Sequence, residues 1–175
     1  MSNEKGQSLL EVIVAVTVGI LVVSALTFAT IFSLRNAGFA KASAQATKLA
    51  QEGIEMVRTG RDRTAAITGD FQLSNQSITS WDDPDLWAYR ISINCTPNCY
   101  FNINSSGELQ YLTADSSLPQ LVKTNGQFKR VVVLSDDASY QIEKKVTVIV
   151  TWTDFACGAT PNCHESRLTT ILRRL

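Results

Sequence analysis

The sequence predicts an α+β protein in which one long N-terminal helix packs against an antiparallel β-sheet. Three observations carry that expectation. No charged residue falls between Glu11 and Arg35, an apolar run of 23 residues, which lies within the roughly 17–25 needed to cross a bilayer as a helix. From Asn36 to Thr59 apolar residues recur at three- and four-residue steps, so the helix continues as an amphipathic one. In the C-terminal half, apolar and polar residues alternate in short runs separated by turn residues, which is a strand pattern.

The first element starts behind a polar leader that ends in Lys5-Gly6 and runs Gln7-Ser8-Leu9-Leu10-Glu11 into Val12–Leu34. At about 1.5 Å per residue that run reaches roughly 34 Å, enough for a hydrocarbon layer of about 30 Å. Thr17, Ser24, Thr27, Thr30 and Ser33 interrupt the apolar side chains. Their hydroxyls can bond back to helix carbonyls or reach a neighbouring helix. A secretory signal has a shorter apolar region, about 7–15 residues, followed by a small-residue cleavage site. This run is longer and lacks such a site, so processing is expected before it, at Gly6, with the anchor retained. Glu11 is the anomaly, because a carboxylate inside a bilayer is costly and calls for a positive partner. Either Glu11 is solvated at the membrane interface, or it awaits such a partner, for which a cut after Gly6 offers one candidate: an α-amine on Gln7, one subunit's amine facing the next subunit's Glu11.

The motif Lys5-Gly6-Gln7-Ser8-Leu9-Leu10-Glu11-Val12-Ile13-Val14-Ala15 resembles the N-terminus of type IV pilins and of the pilin-like proteins of type II secretion and competence systems. The resemblance implies that a prepilin peptidase cuts after Gly6, that Gln7 becomes the N-methylated first residue, and that Glu11 governs assembly into a helical filament. Leu9, Leu10, Val12 and Ile13 would then pack against neighbouring helices. Gln7 stands where Phe or Met is usual, and Phe28 where many major pilins have a kinking Pro. Those departures favour a minor pilin or pseudopilin over a major shaft subunit.

From Asn36 the apolar stripe comprises Phe39, Ala42, Ala46, Leu49, Ala50, Gly53, Ile54 and Val57, with Lys41, Gln45, Lys48, Glu52, Glu55 and Arg58 opposite. Such a stripe must be covered, and a sheet of the same chain is the simplest cover. Thr59-Gly60 is expected to stop the helix, which from Gln7 would be about 80 Å long. The run Ala46–Arg58 is also similar to the corresponding half-helix of pilin-like proteins.

Residues 60–85 read as polar and irregular. Strands are expected over Leu86–Asn94, Tyr100–Asn104, Glu108–Thr113, Phe128–Leu134, Tyr140–Thr153 and Arg167–Leu172, with a turn at Asn104-Ser105-Ser106-Gly107. Val146, Val148, Val150 and Trp152 share one face of the longest strand, and Thr147, Ile149, Thr151 and Thr153 the other. The runs Lys145–Trp152 and Leu168–Leu172 are similar to the last strands of PilV-type minor pilins and I-type pseudopilins. The expected organisation is a leader over 1–6, a membrane and filament-core half-helix over 7–34, an amphipathic half-helix over 35–60, and a sheet domain over 61–175.

The four cysteines form two close pairs, Cys95 with Cys99 and Cys157 with Cys163. Beyond a membrane anchor, an even count points to disulfides in an oxidising compartment. Of the three possible connectivities the two local pairs are expected. The alternatives are free thiols, and zinc on four thiolates with His164 as a spare ligand, against which stand spacings of three and five intervening residues instead of paired knuckles. Asp82, Asp83 and Asp85 raise calcium, but they supply too few of the roughly six to eight oxygens it takes. No metal or other cofactor is expected.

No enzyme motif stands out: the chain has one histidine, and no phosphate-cradling loop, zinc-protease or serine-hydrolase signature. With 16 Lys+Arg against 16 Asp+Glu, no global field favours nucleic acid. Lys123, Lys129, Arg130, Arg167, Arg173 and Arg174 are scattered, so direct DNA contact is not expected. The expected function is structural, with other pilin or pseudopilin subunits, prepilin peptidase and the membrane as partners. The expected location is the cytoplasmic membrane by a single pass, then a filament in the periplasm or at the cell surface. The alternatives are a tethered adhesin or ligand-binding ectodomain acting alone, and a DNA-uptake pilus subunit.

Overall fold

The computed structural model describes residues 4–91, 95, 99–112, 122–124, 128–136, 143–154, 157–158, 160 and 162–174. The elements run α1 (Glu4–Asp62), β1 (Ile67–Thr68), β2 (Gln72–Leu73), β3 (Gln76–Ser77), α2 (Pro84–Ala88), β4 (Cys99–Ile103), β5 (Leu109–Leu112), β6 (Val122–Thr124), β7 (Phe128–Asp136), β8 (Glu143–Trp152) and β9 (His164–Arg173). The protein is α+β, one long N-terminal helix packed against a mostly antiparallel sheet. It divides into two units, residues 1–41 and 42–175. In the first unit the described chain is α1 alone.

In the second unit the remainder of α1 lies on the sheet through the stripe the periodicity marks. Ala46, Ala50, Gly53, Ile54 and Val57 are buried, and Ala42 and Leu49 are half-buried. The opposite face, Gln45, Lys48, Glu52, Glu55 and Arg58, is exposed. Small residues set how close the helix comes: a Cβ on Gly53 would lie 2.8 Å from Val148 Cγ1 and 3.0 Å from Arg130 Cδ. Arg130 is buried under the helix, donating to the Leu49 carbonyl at 3.3 Å and lying 3.6 Å from the Glu52 carboxylate. Burial of that guanidinium is tolerable because it is both paired and hydrogen-bonded.

The expected stop at Thr59-Gly60 is not where α1 ends. Gly60 stays helical, and its missing Cβ serves contact instead: a Cβ there would sit 2.2 Å from the Gly107 carbonyl oxygen. The helix closes with a Schellman motif, Ala65 N–H to Gly60 O at 2.8 Å and Thr64 N–H to Arg61 O at 3.1 Å. Thr64 takes the left-handed position at φ 52°, an unfavourable place for a β-branched residue.

The main sheet has the order β1-β5-β4-β7-β8-β9, with β6 also paired to β7. Every pairing in it is antiparallel except β1 with β5, where Ile67 faces Leu109 in parallel register. Val146, Val148, Val150 and Trp152 are all buried on the inner face of β8, as the alternation predicts. The edge strand β9 alternates exposed and half-buried residues, with Glu165 and Arg167 paired on it. Charge of this kind discourages further strand pairing.

Residues 60–85 are more ordered than the sequence suggests. They hold β1 and the β2–β3 hairpin, whose two turn residues, Ser74 at φ 52° and Asn75 at φ 65°, have the type I′ signs. Phe71, Leu73, Ile78, Trp81, Leu86 and Trp87 fill this end of the core. Phe71 meets the Phe101 ring edge-on at 5.0 Å, and Trp87 Nε1 donates to the Trp81 carbonyl at 2.9 Å. The strand expected from Leu86 is instead the short helix α2. Pro84 opens it and Asp83 caps it, its Oδ1 accepting from the Asp85 N–H at 3.0 Å. Leu86 and Trp87 are adjacent and both buried, which one-sided strand alternation does not allow. Ile93 and Asn94, also assigned to that strand, lie outside the described residues, as do Pro119 and Asn125-Gly126.

Two substitutions test this closure of α1 on the sheet. Thr64→Gly is expected to stabilise the protein by about 0.5–1 kcal/mol, since glycine occupies the left-handed position without strain. Gly107→Ala is expected to destabilise it by more than about 1 kcal/mol: its φ is +83°, and a Cβ there would lie 2.8 Å from both Gly60 Cα and the Met56 carbonyl oxygen. Thermal unfolding of the detergent-solubilised chain should move a few degrees up for the first variant and down for the second.

Candidate functional site

The segment from Leu9 to Leu34 is the candidate site. Every residue in it is exposed, and its valines, leucines, isoleucines and phenylalanines lie on all sides of the helix. α1 is thus long and apolar enough to cross a membrane. An exposed apolar surface of this size requires lipid or other protein to cover it.

The polar atoms of the segment are arranged for such surroundings. Thr17 Oγ1 donates to Val14 O at 2.8 Å, Ser24 Oγ to Ile20 O at 2.8 Å, Thr27 Oγ1 to Val23 O at 2.9 Å and Thr30 Oγ1 to Thr27 O at 2.8 Å. Of the two uses open to these hydroxyls, four of them take the internal one. No polar hydrogen of those four side chains is left for an apolar phase to bear. Gly19 has nothing within 4 Å of the position a Cβ would take.

Glu11 is the carboxylate of the segment, and it is exposed. Among the described residues no cationic side chain forms an ion pair with it. Leu9, Leu10, Val12 and Ile13 flank it, each more than half exposed. Gly6 and Gln7 lie on the first turns of α1, so Gln7 is one helical turn before Glu11 and on the same side of the helix. The Gly6–Gln7 bond lies within the first turn of α1, where backbone donors have no intrahelical acceptor.

The cysteines join as the two local pairs, Cys95 to Cys99 and Cys157 to Cys163, with Cα separations of 5.1 and 5.6 Å. They do not gather into a four-thiolate cluster. Instead Asp154, which sequence reasoning passed over, comes beside Cys157, Cys163 and His164 in the β8–β9 loop. Spacing gave one available signal: Asp154 precedes Cys157 by one turn of chain, and His164 directly follows Cys163. Asp82, Asp83 and Asp85 form no comparable cluster, and Asp83 is engaged as the α2 cap.

Three of the six basic residues weighed for nucleic acid are engaged within the fold. Arg130 is buried, and Arg173 pairs with Glu143. Arg167 donates to both Glu165 oxygens at 2.8 and 2.9 Å. Hydrogen bonding to Glu165 and its charge hold the Arg167 pKa above its ordinary value. Lys123 lies where side chains are not described. No protein-family model, no curated protein and no solved structure matches the chain.

Proposed function

We propose that the chain is a structural subunit, a minor pilin or pseudopilin, of a filament assembled from the cytoplasmic membrane. The observation that carries this reading is the exposed, all-round apolar helix from Leu9 to Leu34 with a single carboxylate near its start. A simple anchor gains nothing from Glu11, which costs insertion energy. A subunit that trades lipid for neighbouring helices gains a register mark from it. The Lys5-Gly6-Gln7 motif supports the same reading, because a cut after Gly6 supplies the positive partner.

In this account prepilin peptidase removes residues 1–6, and Gln7 carries the free or N-methylated amine. The segment waits in the membrane with the second unit outside. On assembly Leu9, Leu10, Val12 and Ile13 exchange lipid for the helices of other subunits. The amine of one Gln7 then meets the next subunit's Glu11, a charge-assisted contact that strengthens as water and headgroups are excluded. No reaction chemistry is required of the chain, and its part is mechanical.

Two outcomes follow. Intact-mass measurement of the membrane-extracted protein should show loss of residues 1–6, with or without one methyl group; a chain that keeps Ser2 acts as a simple tethered ectodomain instead. Glu11→Ala should leave membrane insertion at wild-type levels and reduce incorporation into filaments at least tenfold. Assembly of that variant at the wild-type level would refute the pairing.

A further inference from the structure

The loop joining β8 to β9 holds the one group of closely placed soft and hard metal donors among the described residues. Trp152 and His164 are the last register pair of the hairpin. Asp154 follows two residues later, and Cys157 and Cys163 close the loop. One donor atom from each of Asp154, Cys157, Cys163 and His164 lies within 4.8 Å of every other.

Two of the six distances among these atoms have the length of tetrahedral edges around a small cation. His164 Nε2 is 3.1 Å from Asp154 Oδ1, and Cys157 Sγ is 3.5 Å from the same oxygen. Typical zinc bond lengths to nitrogen, oxygen and sulfur place those two edges at about 3.3 and 3.5 Å. The groups are also held from behind. The indole of Trp152 stacks on the His164 ring at 5.4 Å, and the Asp154 N–H points to Cys157 Sγ at 3.3 Å. The Asn162 N–H donates to Thr153 Oγ1 at 2.9 Å, tying the two ends of the loop. Fixed ring orientation and N–H donation to sulfur are what supports metal ligands from outside the coordination sphere. The edge between the two sulfurs does not fit, because the disulfide bonds them to each other.

We propose that this loop is a redox-gated site for zinc or a similar divalent ion, with Cys157, Cys163, His164 and Asp154 as its ligands. As a disulfide the loop cannot offer two thiolates and is closed to metal. A dithiol reductant opens it. Its thiolate attacks Sγ of Cys163, which is exposed, and Cys157 leaves as thiolate beside the Asp154 N–H. The reductant's second thiol then displaces Cys163 and closes the reductant into a disulfide, so its two electrons and two protons end on the two cysteines. Metal binding releases those two protons and leaves two thiolates, one neutral imidazole and one carboxylate around the ion. Mixed sulfur, nitrogen and oxygen ligation suits zinc over calcium or magnesium. The site is independent of the assembly reading, since it uses no residue of the N-terminal segment.

The test uses the full chain in detergent, reduced with a dithiol, freed of it without air, and alkylated with iodoacetamide with and without zinc. Peptide mass spectrometry then reports each cysteine separately. Zinc is expected to slow alkylation of Cys157 and Cys163 at least about tenfold while leaving Cys95 and Cys99 unchanged. Cobalt should give tetrahedral absorption bands at one ion per chain in the reduced protein and none in the oxidised one. Asp154→Asn, which keeps the side chain's shape, and His164→Ala should each weaken cobalt binding about tenfold or more. Equal protection of all four cysteines, protection of none, or cobalt binding unchanged in Asp154→Asn would overturn the proposal.

Discussion

A helix that is apolar on every side has to be covered, and from Leu9 to Leu34 the described chain offers no cover. The polar groups inside that stretch have been dealt with locally: four hydroxyls return to their own helix carbonyls. What is left over is a mostly apolar surface, the Ser33 hydroxyl and the carboxylate of Glu11. Lipid satisfies the surface and not the carboxylate. A bundle of such helices, from this chain or from related subunits, satisfies both, provided each brings a positive group to the right level. That difference makes assembly a better account of the segment than anchoring alone.

The second half of α1 meets the opposite demand. It carries one stripe, and the stripe is made of residues small enough for close contact. Gly53 brings the helix against Val148, and Gly60 meets Gly107 backbone to backbone. Arg130 sits beneath the helix, its charge met by Glu52 and a carbonyl. At the far side of the unit, fully buried Lys144 donates to Asp136 Oδ1 at 3.0 Å and to the Tyr89 carbonyl at 2.8 Å. Asp136 Oδ1 also accepts from the Ile91 N–H. One ion pair thus fastens the segment after α2 to the β7–β8 hairpin, and breaking such a buried pair by removing one partner is strongly destabilising.

The features legible in the sequence were those with a long period. The apolar run, the stripe from Ala46 to Val57 and the alternation of β8 each repeat often enough to stand out from chance. The local cysteine pairs were legible because a short loop limits the choice. Features set by two or three residues were not. Strands β1, β2 and β3 have two residues each, too few to show a period. The parallel pairing of β1 with β5 depends on a contact between distant segments. At Pro84–Ala88 a proline and a capping aspartate prevailed over an apparent alternation through Tyr89 and Ile91. Gly60 looks like a stop because sequence does not distinguish a glycine needed for its φ from one needed for its missing Cβ. Asp154 stands out only once the hairpin register sets it near His164, its spacing to Cys157 being a weak signal alone.

The central claim is that Glu11 of one subunit meets the N-terminal amine of another. A zero-length carbodiimide coupling of carboxylate to amine reads that contact directly, applied to the assembled protein and followed by peptide mass spectrometry. The account predicts an amide between the Glu11 carboxyl and the α-amine of a neighbouring subunit's first residue, Gln7 where that neighbour is a second copy, formed between chains at wild-type assembly levels. Assemblies that form normally but give only coupling within one chain, or none at Glu11, would contradict it.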